Sequence, residues 1–193
     1  MIDSRDSRTA WPATHLGPLN PRSTARLTLS SWPGSESFGC WVLEQAGNPV
    51  GMIRRAPGIT SFRTPSEEWL LEVRRLRRRL GWQLEFKQPR ERAPTVFYHP
   101  HTLLPGGSLV AFGERSYGLR RPVVRADWSV TARRGGDLAR IAFRGGRSPE
   151  DLRTHVPFGE QAMAEPQLLV VLLAASVAIL VHSEEPRAPV YHG

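Results

Sequence analysis

Cysteine and lysine are nearly missing from this chain: Cys40 and Lys87 are the only ones among 193 residues. A single cysteine excludes an internal disulfide. Its setting, Phe38-Gly39-Cys40-Trp41-Val42, is that of a small buried hydrophobe rather than a reactive thiol. All basic residues other than Lys87 are arginine. So uniform a bias fits a GC-rich genome, and it takes weight from any argument that arginine was selected for bidentate phosphate contacts. No apolar core follows Met-Ile-Asp-Ser-Arg-Asp-Ser-Arg at the start, so a secretory signal is not expected. The expected compartment is the cytoplasm, with membrane association through a basic surface as an extension of it.

Motifs that would announce an enzyme are absent too. There is no Gly-x-Ser-x-Gly elbow for a hydrolase nucleophile. Gly113-Glu114-Arg115-Ser116-Tyr117-Gly118-Leu119-Arg120 has the glycine spacing of a phosphate loop but lacks the Lys and Ser or Thr that do its chemistry. His99-Pro100-His101 brings two imidazoles together, yet His15, His155, His182 and His192 supply no further ligand at a recognised zinc spacing. Asp127 and Asp137 have no evident carboxylate partner for acid/base work, and Asp137 sits in a Gly-Gly-Asp turn that explains it. No catalytic residue, metal or cofactor is therefore nominated, and an enzyme is the third-ranked reading. Trp82, and Trp128 near Arg125, can stack on bases in principle, but no helix-turn-helix, zinc finger or RNA-binding signature accompanies them. Nucleic acid is not the expected partner.

One long hydrophobic run is present. Residues 168–181 are apolar on every side apart from Ser176, which can bond back to the carbonyl one turn earlier. Pro166 suits a helix start. Fourteen helical residues cover roughly 21 Å, short of the roughly 30 Å of a hydrocarbon core. A helix at 166–182 sheathed by its own protein is expected. The alternative is a C-terminal anchor with residues 163–182 in the bilayer and a basic domain on the cytosolic side.

Charge is unevenly distributed. Residues 1–53 hold four arginines and four acids, residues 54–147 hold twenty basic groups and eight acids, and residues 148–193 hold two arginines and six acids. A basic middle attracts phosphates of lipid or nucleic acid but says nothing about fold. Thr64-Pro65-Ser66-Glu67 reads as a capped helix start, and Trp69, Val73, Leu76 and Leu80 recur at helical spacing before Gly81. A basic amphipathic helix over 65–80 is expected. Its acids come early and its arginines late, as a helix dipole favours. Five arginines in six residues, Arg74, Arg75, Arg77, Arg78 and Arg79, exceed what a dipole needs and form the candidate anion-binding site.

The remainder reads as strands and turns. Ala25–Leu29, Phe38–Glu44, Val50–Ile53, Trp82–Phe86 and Thr95–Tyr98 alternate or are rich in strand formers. Gly106-Gly107-Ser108-Leu109-Val110-Ala111-Phe112 matches Gly135-Gly136-Asp137-Leu138-Ala139-Arg140-Ile141 at an offset of 29, and Gly47–Ile53 is a fainter copy. Ser148-Pro149-Glu150-Asp151 suggests a short helical turn near 152–155, followed by irregular linker from Val156 to Ala164. Trp41, Trp69, Trp82 and Trp128 are expected in the core, whereas Trp11 and Trp32 fall in loops. The expected organisation is a poorly ordered leader over 1–24, one α+β domain over 25–182 and a polar tail over 183–193. In that domain an antiparallel barrel-like sheet wraps the hydrophobic helix, with the basic helix packed through Trp69, Val73, Leu76 and Leu80.

This order of turn-linked strands, including Tyr117-Gly118-Leu119-Arg120-Arg121 and Asp127-Trp128-Ser129-Val130, closed by an apolar helix, resembles the tubby C-terminal-like superfamily over roughly residues 37–182. That superfamily includes the phospholipid scramblases and plant LURP-one-related proteins, and the likeness is nearest to its small actinobacterial members. The resemblance implies a closed antiparallel barrel of about twelve strands around a C-terminal helix, an arrangement without sheet edges. The chain departs from it in the helix expected at 65–80 and in having no run matching the calcium-binding or cysteine-rich segments of scramblases. Scrambling is thus not implied. The resulting expectation is a non-enzymatic binding or scaffold protein that meets an anionic lipid surface or a protein partner through its arginine-rich face.

Overall fold

The computed structural model describes residues 15–31, 39–56, 59–76, 81–101, 106–112, 115–121, 127–133, 136–144 and 153–184. Twelve antiparallel strands and one helix near the C-terminus dominate them. In chain order the strands are β1 (Ala25–Ser31), β2 (Gly39–Gln45), β3 (Asn48–Ala56), β4 (Ile59–Arg63), β5 (Glu68–Leu76), β6 (Gly81–Lys87), β7 (Val96–Pro100), β8 (Gly106–Ala111), β9 (Arg115–Arg120), β10 (Asp127–Ala132), β11 (Asp137–Arg144) and β12 (Arg153–Val156). A short 3-10 turn, Glu160–Ala164, precedes the helix α1, Leu168–Glu184. Each strand pairs with its sequence neighbours, and β1 also pairs with β12 through Ala25 with Val156 and Leu27 with Thr154. The strand order is that of a closed barrel.

Alternation supplies the inner face. Leu43, Ile53, Phe62, Trp69, Leu84, Phe86, Val96, Tyr98, Leu109, Leu119, Val130 and Ile141 are buried with the helix in one core. Phe62 stacks on Trp69 with centroids 5.7 Å apart, and Phe112 meets the Trp69 ring edge-on at 5.9 Å. α1 packs against β3, β8 and β11 and is buried from Val170 to Leu180 on all faces. No helix among the described residues is long and apolar enough to cross a membrane. Ser176 donates to the Leu172 carbonyl at 2.8 Å, which satisfies its hydroxyl within the helix.

At Gly51 the helix comes close to the sheet. A Cβ there would lie 2.9 Å from Leu173 Cδ1 and 3.3 Å from Leu169 Cδ1, so β3 uses glycine to admit the two leucines. A second, smaller cluster of Leu16, Cys40, Met52 and Val42 lies apart from that core. It brings part of the expected leader onto β2 and β3, and Gln45 fixes the same stretch. The Gln45 amide accepts from the Asn20 N–H at 2.7 Å and donates to the Asn20 and Ser23 carbonyls, both at 2.6 Å. Residues 15–24 are thus held against the sheet, and residues 1–14 lie outside the described residues.

Two expected helices are corrected. Residues 68–76 form β5, flanked by β4 through Phe62 with Trp69 and by β6 through Val73 with Leu84. The capping signals do operate locally. The Thr64 N–H donates to the Glu67 carbonyl at 2.8 Å, and the Glu67 N–H donates to Thr64 Oγ1 at 3.0 Å. They close the turn between β4 and β5 instead of starting a helix. Trp69, Leu71 and Val73 also alternate at a period of two, and pairing on both sides selects that period over the helical one. Residues 153–156, expected near a helical turn, form β12 between β11 and β1. The 29-residue likeness pairs β8 with β11, strands that run in opposite directions along the barrel, so it marks turn composition rather than a structural repeat.

Candidate functional site

Strand direction divides the charged residues between the two barrel ends. One end carries the last residues of β1, β3, β5, β7, β9 and β11 and the first residues of the even strands. Within three residues of that end stand Arg54, Arg55, Arg74, Arg75, Arg120, Arg144 and Arg153, against Asp127 alone. Arg121 follows directly. The same count at the opposite end gives Arg26, Arg63, Lys87 and Arg115 against Glu44, Glu68, Glu85 and Asp137, an even balance, with Arg133 following directly. The basic excess of the middle of the chain is therefore concentrated at one end of the sheet.

Of the five arginines expected on a helix, two are placed on a strand. Arg74 and Arg75 lie on β5 opposite Gln83 and Trp82 of β6. Arg77, Arg78 and Arg79 lie outside the described residues. The Arg74 side chain is 69% exposed and donates to Glu85 Oε1 at 3.3 Å, while Gln83 donates to the same oxygen. Lys87 pairs with Glu72 alongside. Arg54 is buried and close enough to Cys40 to act on it electrostatically. Burial pushes the Cys40 thiol up to about 11, and the Arg54 charge opposes that rise. Cys40 is thus an inert thiol at neutral pH, in keeping with its apolar sequence setting.

Arg54, Arg55, Arg120 and Arg121 were not nominated from sequence. Their signal was an Arg-Arg doublet closing β3 and β9 as Arg74-Arg75 precedes the end of β5. The doublet is not sufficient, because Arg133-Arg134 follows β10 at the other end. Which doublets share an end depends on strand parity, which a sequence reading with no strand at 59–63 and a helix at 65–80 does not give.

The balanced end is sealed by polar contacts. Glu165, just before α1, accepts from Arg115 of β9 at 3.0 Å and from the Gln167 N–H at 3.2 Å. The Tyr117 hydroxyl sits beside them. Burial first, then the Glu165 charge, raises its pKa to about 12 against the opposing effect of Arg115. This arrangement ties the helix start to the sheet. Two open depressions flank it. One of about 590 Å³ is lined by Ser23, Thr24, Arg26, Glu44, Ala46 and Gly47, and one of about 290 Å³ lies around Leu19, Met163, Pro166 and Leu169.

His99 and His101 do not form a metal site with other groups. His99 stacks on Phe97 with centroids 6.4 Å apart, the His101 N–H donates to the Gly106 carbonyl, and no cluster of three ligand-type residues occurs among the described residues. Trp41, Trp69 and Trp128 are buried and Trp82 is half-buried, packed on Tyr98 at 6.0 Å. Trp11 and Trp32 fall outside the described residues. The chain gives no significant match to any protein-family model, curated protein or solved structure.

Proposed function

We propose that the protein is a non-enzymatic binding module that meets an anionic membrane surface with its arginine-rich barrel end. The observation that carries this reading is the segregation of charge: besides the buried Arg54, one end holds six arginines against one aspartate, and the other is balanced. Each basic group brought near an anionic leaflet contributes about 1 kcal/mol, so a cluster of this size matters where scattered arginines would not. The long arginine stems also cover apolar surface while their heads stay hydrated.

The sheet, in this reading, wraps α1. Twelve strands about 4.8 Å apart and tilted by about 40° give a circumference of roughly 75 Å and a radius of about 12 Å. That radius accommodates one helix with its side chains, and it accounts for a helix buried on all faces. Membership of the tubby C-terminal-like superfamily belongs to the same proposal, supported by the twelve paired strands and the apolar C-terminal helix. The scaffold is then rigid, and binding lies in the residues at its rim.

The test is flotation with vesicles of phosphatidylcholine alone or mixed with phosphatidylserine. Replacing Arg74, Arg75, Arg120 and Arg121 with Gln should weaken binding to the acidic vesicles by about fivefold per arginine. Replacing Arg26, Arg63, Arg133 and Arg140 should change it little. Equal loss from both sets would leave only a diffuse attraction of net charge and would sink the reading.

A further inference from the structure

Past the rim of the barrel, β5 and β6 continue as a two-stranded ribbon. The pairing of β4 with β5 ends at Thr60 with Leu71, because the chain starts β4 at Ile59, three residues after Ala56 and directly opposite it. β4 therefore cannot extend along the rest of β5. β5 nevertheless runs on to Leu76, paired with β6 through Val73 with Leu84, Arg74 with Gln83, Arg75 with Trp82 and Leu76 with Gly81. Pairing of β6 with β7 covers only Leu84 to Phe86. Among the described residues no strand lies against Val73–Leu76 on the side away from β6. At about 3.4 Å per residue the ribbon carries Leu76 roughly 14 Å beyond Glu72.

Val73 records the missing neighbour. It is 58% exposed, although Leu84 directly across the ladder is fully buried. An antiparallel strand directs the N–H and C=O groups of alternate residues to each side, so this edge presents backbone donors and acceptors that have no strand partner among the described residues, beside an apolar side chain. We propose that this edge takes up an extended acidic segment of another protein as an added β-strand. Arg74 and Arg75 occupy this stretch of β5; the Arg74 side chain is 69% exposed, and Glu85 of β6 engages one nitrogen of its guanidinium, whose planar fork carries five N–H donors. A second copy of this chain is disfavoured at the same place, since edge-to-edge pairing would set these arginines against their equivalents. A segment with Asp or Glu alternating with Val or Ile satisfies both the charge and the Val73 contact, while the main chain supplies the pairing.

The inference stands on the unpaired edge and not on the membrane reading, and the experiment separates the two. The full chain is titrated into a short fluorescent peptide alternating Glu and Val, into the same peptide with every amide N-methylated, and into a peptide alternating Lys and Val. Amide hydrogen exchange is followed in parallel. The acidic peptide should bind and slow exchange at Val73–Leu76 without slowing β8. N-methylation, which keeps the charge and removes the donors, should weaken binding at least about tenfold, and the Lys peptide should not bind. Equal binding of the methylated peptide, unchanged exchange at Val73–Leu76, or no binding of the acidic peptide would each overturn the proposal, whatever the vesicles show.

Discussion

Leu173 and Gly51 meet where α1 crosses β3, and substituting both reads out how tightly the helix is held by the sheet. Leu173 is fully buried, so Leu173→Ala removes its branched end from a packed core and leaves a cavity. Such changes cost about 3–5 kcal/mol. For a chain of this size each kcal/mol shifts Tm by about 2–4 °C, which places the variant at least about 6 °C below the wild type. Gly51→Ala alone puts a methyl 2.9 Å from Leu173 Cδ1. Overpacking of that kind costs about 1–3 kcal/mol, partly offset by the lower entropy of the unfolded chain. In the double variant the new methyl projects into space vacated by Leu173, so the two costs should not add. A coupling of about 1–2 kcal/mol in favour of the double variant is expected from urea unfolding followed by circular dichroism. Strict additivity would mean that Leu173 and Gly51 do not share a packed interface, and the placement of α1 against β3 would be refuted.

Other expectations follow from single contacts. Gln45→Leu leaves the Asn20 N–H and the Asn20 and Ser23 carbonyls without partners, and should cost about 2 kcal/mol while speeding proteolysis within residues 15–24. Glu165→Ala should lower stability by about 1–2 kcal/mol through lost contacts to Arg115 and the Gln167 N–H, and Glu165→Gln, which keeps an acceptor, should lose less. The Cys40 thiol, raised from 9 to about 11, contributes stability that is full below pH 9 and is lost as pH climbs to 11, because the unfolded chain releases its proton first. Relative to Cys40→Ala, the wild-type urea midpoint should therefore fall across that window, and parallel profiles would contradict the assignment.

Much of the sheet was legible because alternation and turn chemistry agree. β1, β2, β3, β6, β7 and β8 were located within a few residues, since Val, Leu, Phe and Trp recur at a period of two between Gly and Pro turns. The apolar run before Glu184 was legible as a helix for a different reason: it is too long for a strand and apolar all round. β5 was not legible. Glu68-Trp69-Leu70-Leu71-Glu72-Val73 fits both periods, and the Thr64 to Glu67 contacts that announce a helix cap are here the closure of a strand-to-strand turn. Only the neighbours β4 and β6, distant from the local pattern, decide between them. The wider set of arginines at that end was not legible for the same reason. Arginines adjacent in sequence were visible, whereas Arg54, Arg74 and Arg120 come to one end through strand direction, which no local window reports.

An arginine-rich rim has a bland explanation that must be weighed against binding. Charged residues on exposed strand ends discourage edge-to-edge association, and a basic protein stays soluble by self-repulsion. That explanation accounts for charge on Val73–Leu76, where an edge is open, but it predicts arginines wherever edges are open and nowhere in particular otherwise. β9 is paired on both sides up to Arg120, with Gly106 across β8 and with Ser129 across β10. Arg55 is paired across both Gly39 and Thr60. These positions have no edge to protect, and they still carry arginine at the same end while the opposite end balances its charges. Protection of an edge therefore explains part of the β5 cluster and leaves the asymmetry between the two ends, which is what an anionic partner approaching along the barrel axis would select.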